Sequence, residues 1–155
     1  MASWNDVRAQ APELAATVER LFNARRHKTM ATVRADGAPR ISGIECEFGE
    51  TDLTFGSMPG ARKLADLQRD PRCALHSATI DPVEGHEAEW PGEAKVSGRA
   101  MAAGPVGAGE DGAPQGDSFR VDVESVTFTH LDSKATKLVV EWWTPAGGHR
   151  VVERD

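Results

Sequence analysis

Trp4, Val7, Ala11, Leu14, Val18 and Leu21 recur at steps of three and four, which places them on one stripe of an amphipathic helix. Ser3 followed by Asp6 resembles a capping box with Asp in place of Glu. Pro12 fits only a first helical turn, so the stripe divides into a short opening turn and a main helix. Arg25, Arg26, His27 and Lys28 close it, as cations do where the helix dipole is negative. The period then changes to two. Thr29, Ala31 and Val33 alternate with Met30, Thr32 and Arg34, and Asp36-Gly37 supplies the positive φ angles of a tight hairpin turn. PRISGIECEF reads as one second strand with Ile44, Cys46 and Phe48 on a single face. After a turn over Gly49 to Asp52, Leu53 and Phe55 mark a third, so the sheet opens as an antiparallel meander.

From Ala61, ARKLADLQRDPR predicts a short helix with Leu64 and Leu67 inward and Asp70-Pro71 as its stop. CALHSAT, Glu93 to Ala102, and Phe119 to His130 follow as strands. On the last of these the apolar phase slips from Phe119, Val121 and Val123 to Val126 and Phe128, which predicts a β-bulge near Glu124-Ser125. KLVVEWW and HRVVERD form a closing hairpin, in which Trp142 and Trp143 point to opposite faces and at most one enters the core. Asp81 to Gly92 and Gly104 to Asp117 read as loops. The bulge and the tight turns favour an antiparallel barrel over a two-sheet sandwich. A helical segment over residues 1–26 packs on a barrel over 27–155, in one domain overall.

Composition narrows the function classes. With 18 Lys+Arg against 24 Asp+Glu the chain is acidic, which argues against a general nucleic-acid binder. No apolar run approaches the ~20 residues of a membrane span, and MASWNDVRAQ has no basic region leading into an apolar stretch, so a cytoplasmic protein is expected. Cys46 and Cys73 form no CxxC pair and read as small buried hydrophobes, with a redox pair as the alternative. Cys73, His76, His86, Glu87 and Glu89 lack the tight, repeated spacing of a zinc site. No metal site is expected.

The segment from Phe55 to Lys63 carries the most chemistry. A strand ends in a small-residue turn and a helix begins, leaving free N–H groups that attract anions. Arg62 and Lys63 are unfavourable in a first helical turn unless something negative is bound. Ser57 adds a hydroxyl, and Gly56 and Gly60 allow a ligand close to the backbone. The competing account is a solvated Arg-Lys pair on an exposed helix face.

Three stretches, MATVRADGAPRISGI, LTFGSMPGARKLADLQRDPRCAL and AKVSGRA, resemble the FMN-binding split β-barrel family, also called pyridoxamine 5′-phosphate oxidase-like or flavin/deazaflavin oxidoreductases. The resemblance runs from about His27 to Val152. It implies a mostly β fold, an antiparallel split β-barrel of six to eight strands with an N-terminal amphipathic helix and one short inserted helix. It implies Ser57, Arg62 and Lys63 as phosphate ligands, with Gly56 beside them. Arg40 and Ser42 fall on the strand along the isoalloxazine ring. Where the oxidase has the lysine of its strand motif, this chain has Glu45 nearby. A family glutamine corresponds to Glu93, and the C-terminal tryptophan–arginine signature for pyridoxal phosphate is not matched. The resemblance therefore implies a flavin-type cofactor and not vitamin B6 oxidation.

The expected activity is hydride exchange at N5 of FMN with an unknown small-molecule substrate, in a homodimer with the cofactor at its interface. Flavin chemistry of this kind needs few side chains, and no catalytic residue is assigned. Two alternatives stand beside it. One is a reductase using the deazaflavin coenzyme F-420, whose acidic tail would meet Arg25, Arg26, Lys28 and Arg34. The other is a non-catalytic flavin- or haem-binding or interaction module, which the acidic Glu45 and Glu93 near an anionic ligand would suit.

Overall fold

The computed structural model describes residues 1–107, 110–112 and 115–155. The chain enters as helix α1 (Trp4–Gln10) and helix α2 (Pro12–Asn23). Strands β1 (Lys28–Val33), β2 (Pro39–Ile44), β3 (Cys46–Phe48) and β4 (Leu53–Ser57) follow, then helix α3 (Arg62–Arg69). Strands β5 (Arg72–His76), β6 (Glu93–Pro105), β7 (Asp117–Leu131), β8 (Leu138–Thr144) and β9 (Gly148–Arg154) complete it. The expected capping box is formed: the Ser3 hydroxyl accepts from the Asp6 amide at 3.2 Å and the Asp6 carboxylate accepts from the Ser3 amide at 2.7 Å. Pro12 opens α2, and the stripe from Trp4 to Leu21 is buried. Trp4 meets Phe48 edge-on at 4.7 Å between ring centroids and donates its indole N–H to Glu19 at 2.6 Å. Lys28, expected to close the helix, instead opens β1.

All pairings are antiparallel, in the order β2-β1-β5-β6-β7-β4-β3, with β8 also on β7 and β9 on β8. The segment expected as one second strand is two. The ladder breaks at exposed Glu45, so that β2 pairs with β1 while β3 pairs with β4. Ile44, Cys46 and Phe48 keep the same parity across the break, so period-two patterning carries no sign of the change of partner. The expected meander is corrected accordingly, because β2 and β3 lie at opposite ends of the sheet path. One residue joins these ends, so Ile44 and Cys46 are two Cα steps apart, at most about 7 Å. The sheet must therefore curl until its ends meet, joined by covalent chain and not by a ladder. This is the split barrel. The break also brings the strand count to nine.

The bulge falls where the phase slip placed it. Ser97 faces Ser125 and Gly98 faces Val123, leaving Glu124 as the extra residue. Val121, Val123 and Val126 are thereby all buried, while Glu124 is exposed. Trp143 is buried against the helices and donates to Gln10 at 3.3 Å; Trp142, on the other face, is half-buried. A single apolar cluster joins Val18 and Phe22 of α2 to Met30, Leu75, Val96 and Val126 of the sheet. The Asp81 to Gly92 loop holds one 3-10 turn (Glu87–Glu89), and part of the Gly104 to Asp117 loop lies outside the described residues.

Opposite the bulge, a Cβ on Gly98 would stand 2.0 Å from the Asp122 carbonyl oxygen, so the two strands approach there only because the side chain is absent. Gly98→Ala is expected to destabilise the protein by about 1–3 kcal/mol through overpacking, read as a lower midpoint of urea unfolding with an unchanged slope.

Candidate cofactor groove

β4 delivers Ser57 to the barrel seam, and the turn Met58-Pro59-Gly60-Ala61 reverses the chain into α3. Gly60 takes φ +73°, the left-handed conformation that favours glycine. α3 begins at Arg62 with no side-chain cap and no acid in its first turn, which instead holds two cations, exposed Arg62 and half-buried Lys63. Ser57 is buried, and among the described residues its Oγ is the one buried side-chain polar atom with no hydrogen-bond partner. A buried hydroxyl left unpaired costs about 1–3 kcal/mol. The groove beside it, about 410 Å³, supplies a place for a partner.

Its lining includes His27, Gly43, Glu45, Gly56, Ser57 and Lys63. Lys63 reaches across it and donates from Nζ to the Gly43 carbonyl at 3.2 Å, linking α3 to β2. Of the residues singled out from sequence, Gly56, Ser57 and Lys63 are thus brought together. Arg62 is exposed at the start of α3, outside the lining. Arg40 donates from Nε to Asp66 at 2.7 Å, and Ser42 sits half-buried on β2 beside Gly43. His27 and Gly43 were not anticipated. The hairpin register sets them there: the loop closes over three residues, Ala35-Asp36-Gly37, with Arg34 bonded to Ala38, so Lys28 pairs with Ile44 and His27 falls beside Glu45, one residue off the register that a two-residue Asp36-Gly37 turn gives. Gln115, which also borders the groove, comes from a distant loop and leaves no local signal.

Glu45 does not stand as an isolated negative charge. Its carboxylate accepts from Arg26 Nε at 2.8 Å and lies 3.4 Å from His27 Nε2. Glu93 likewise lies 3.5 Å from His76 Nε2. Both cysteines are free thiols on well-separated strands. Burial pushes Cys46 up to about 11, partly opposed by Lys28, and Cys73 up to about 12, so neither is a ready thiolate at neutral pH. Among the described residues no three His, Cys, Asp or Glu side chains converge as a metal site. No helix among them is long and apolar enough to cross a membrane.

What holds α3 at this angle is a buried carboxylate. Asp66 accepts at Oδ2 from Arg40 Nε at 2.7 Å and from the Thr32 hydroxyl at 2.8 Å, and at Oδ1 from Arg69 at 3.3 Å. Arg69 also donates to the Val33 carbonyl. The network ties the helix to the β1–β2 hairpin, with both strands of that hairpin taking part.

The sequence model of the pyridoxamine 5′-phosphate oxidase family matches residues 14–130. The chain belongs to that family. No curated protein sequence matches the chain. Among solved structures, a pyridoxamine 5′-phosphate oxidase-related, FMN-binding protein from Nostoc punctiforme superposes with a TM-score of 0.64 at 11% identity, over 94% of this chain and 96% of its own. PhzG from Burkholderia lata, in complex with tetrahydrophenazine-1-carboxylic acid, gives 0.60 at 10% identity over 96% and 89%. An F-420 reductase gives 0.51 at 18% identity over 72% and 93%. At these identities the likeness is one of fold.

The guanidinium of Arg40, followed by the hydroxyl of Thr32 and by Arg69, holds the Asp66 carboxyl down to about 2 from an ordinary 3.8, against the opposing effect of burial. A carboxyl lowered in the folded state stabilises the protein above its unfolded value and loses that contribution as pH falls through the folded one. Wild-type stability should therefore fall between about pH 4 and pH 2, and Asp66→Asn should show a flatter decline across that window in urea melts. At neutral pH, Asp66→Ala leaves Arg40 without its partner and should cost about 3 kcal/mol.

Proposed function

We propose that this chain is an oxidoreductase that binds FMN in the seam groove, with the cofactor phosphate at the start of α3. The observation that carries the reading is the unpaired, buried hydroxyl of Ser57, a residue that lines the same groove as Lys63, next to an α3 start that bears Arg62 and Lys63 and no side-chain cap. A phosphate there accepts the Ser57 hydroxyl, the free N–H groups of α3 and the ammonium of Lys63, and it removes the cost of placing two cations in a first turn. Arg62, exposed at the rim, folds over the same group. Gly56, whose nearest neighbours to an added Cβ lie at 3.7 Å and beyond, keeps the floor low.

Bound FMN supplies the hydride chemistry, at N5 of its ring. The protein positions the cofactor, narrows access by water and balances charge. Gly43 and Glu45, at the end of β2, flank the ring side of the groove, and Arg26 keeps the Glu45 carboxylate compensated. Arg40 acts through Asp66 by fixing α3, and Ser42 lies one residue along the strand from Gly43. The substrate is a small molecule. The protein works as a homodimer, a reading supported by Ile41, which is 77% exposed on edge strand β2 beside a shallow apolar groove of Met30, Ala31, Ala74 and Leu75. A cytoplasmic location fits the same picture. The deazaflavin coenzyme F-420 is the second reading, favoured by the cations next to the groove, Arg25, Arg26 and Lys28.

Titration of cofactor-free protein with FMN, followed by quenching of flavin fluorescence, tests the phosphate assignment. Ser57→Ala should weaken FMN roughly tenfold or more, with no loss of thermal stability because the orphaned hydroxyl is gone. Arg62→Ala with Lys63→Ala should remove most FMN affinity while leaving the weaker binding of riboflavin, which has no phosphate, unchanged. A double variant that binds FMN as tightly as the parent overturns the assignment. Stoichiometric FMN without turnover of any pyridine-nucleotide or quinone acceptor would mark a binding module instead of an enzyme.

A further inference from the structure

The ring of His76 is fixed at one nitrogen and open at the other. His76 ends β5, and Thr29 pairs with both His76 and Gly43, so Gly43, Thr29 and His76 form one row across β2, β1 and β5. Their chain neighbours Ile44, Met30 and Leu75 are buried, which puts the row on the outer face of the sheet. At about 4.8 Å per strand, His76 stands about 10 Å from Gly43, with only the short side chain of Thr29 between them. A groove of about 530 Å³ is lined by Gly43, Thr29, His76 and Ser77, and it shares His27 and Gly43 with the cofactor groove.

The hydrogen bonds of the ring decide which nitrogen can exchange a proton. Nδ1 donates to the Ser77 carbonyl, since a carbonyl only accepts. Nε2 lies 3.5 Å from Glu93 Oε2, beyond the ~2.7–3.2 Å of a hydrogen bond. The carboxylate therefore favours a charged ring without occupying the nitrogen. His130 differs, because both of its nitrogens are engaged, by the Leu131 carbonyl and by Glu141, each at 2.9 Å. The charged groups facing His76 from β6 are Glu93 and Lys95, the latter directly across in the register. β1 presents neutral Thr29, and Arg25, Arg26, His27 and Lys28 line the same groove.

We propose that His76 is the catalytic acid–base of the reaction, with Nε2 giving a proton to a substrate that accepts a hydride in the groove and taking it back in the reverse direction. The inference rests on the FMN reading above. It narrows the substrate to a carbonyl, imine or quinone, whose accepting double bonds end in oxygen or nitrogen. Such a substrate takes a hydride, two electrons and one proton, from the reduced cofactor at one end of its double-bond system. The displaced electron pair settles on the oxygen or nitrogen at the other end, which takes the proton from the imidazolium Nε2. The neutral ring keeps its Nδ1 proton on the Ser77 carbonyl and is reprotonated from water. Glu93 is a positioning residue that holds the charged ring.

Long-range proton–nitrogen NMR of the cofactor-free protein reads the ring directly. Neutral His76 should carry its proton on Nδ1; a ring protonated on Nε2 overturns the assignment, because the exchanging nitrogen would be the wrong one. Anaerobic stopped-flow reoxidation of the reduced, FMN-loaded protein by menadione reads the proton transfer. His76→Gln should slow it about a hundredfold, abolish the fall in rate that the parent shows as pH rises, and leave FMN affinity unchanged. Glu93→Gln should slow it less and keep the pH dependence, and His86→Gln, an exposed loop substitution, should match the parent. A His76→Gln protein with the rate and pH profile of the parent overturns the proposal, and so does a parent that menadione does not reoxidise. Absence of FMN binding, read beforehand by fluorescence quenching, removes the cofactor reading and this inference with it. Bound FMN without an effect of His76→Gln overturns this inference alone.

Discussion

Chain continuity through Glu45 is the constraint on which the rest of this structure depends. Seven strands run in one antiparallel path, and its two terminal strands, β2 and β3, are consecutive in the chain with a single residue between them. A sheet whose outer strands are tethered at that distance has no flat solution. It curls, the bulge at Glu124 sharpens the curl, and the open side of the barrel becomes a seam that no ladder closes. The N-terminal helices pack their apolar stripe against β6 and β7, which completes the core. The groove follows from the seam: the end of β2, the end of β4 and the start of α3 have nowhere else to meet.

The polar interactions around the seam divide between those that complete the fold and those that leave capacity unused. Asp66 has three donors and its network is satisfied, so it serves as a strut between α3 and the hairpin. Ser57, a few residues earlier, is buried and unpaired. Lys28 is buried with one neutral acceptor. Natural interiors seldom leave such groups unmatched, and here the two residues each line a groove at the seam. The acidity of the chain as a whole thus conceals a local concentration of cations at Arg25, Arg26 and Lys28.

Much of this was legible from the residues in order. Helix boundaries could be read because Ser3, Pro12 and Asp70-Pro71 act on the backbone within a turn of themselves. The bulge could be read because burial of Val121, Val123 and Val126 on one face demands an extra residue between the last two. The strand–turn–helix around Ser57 was visible from small residues followed by two cations. Arg40 illustrates the opposite case. Its position on the strand was clear, but its guanidinium pairs with an aspartate 26 residues away on a helix face, a pairing no local pattern announces.

Sequence by itself determined the local alternation of apolar and polar positions, the caps and turns, and the small-residue turn with two cations that opens α3, because each depends on residues within a few positions of one another. Which strand pairs with which was decided only in three dimensions. The parity of Ile44, Cys46 and Phe48 is the same whether or not the strand changes partner at Glu45, and the choice is made by the free energy of closing the core. The groove, with Ser57 left unpaired in it and Lys28 buried beside it, exists only after that closure, since its walls come from segments that share no neighbourhood in the chain.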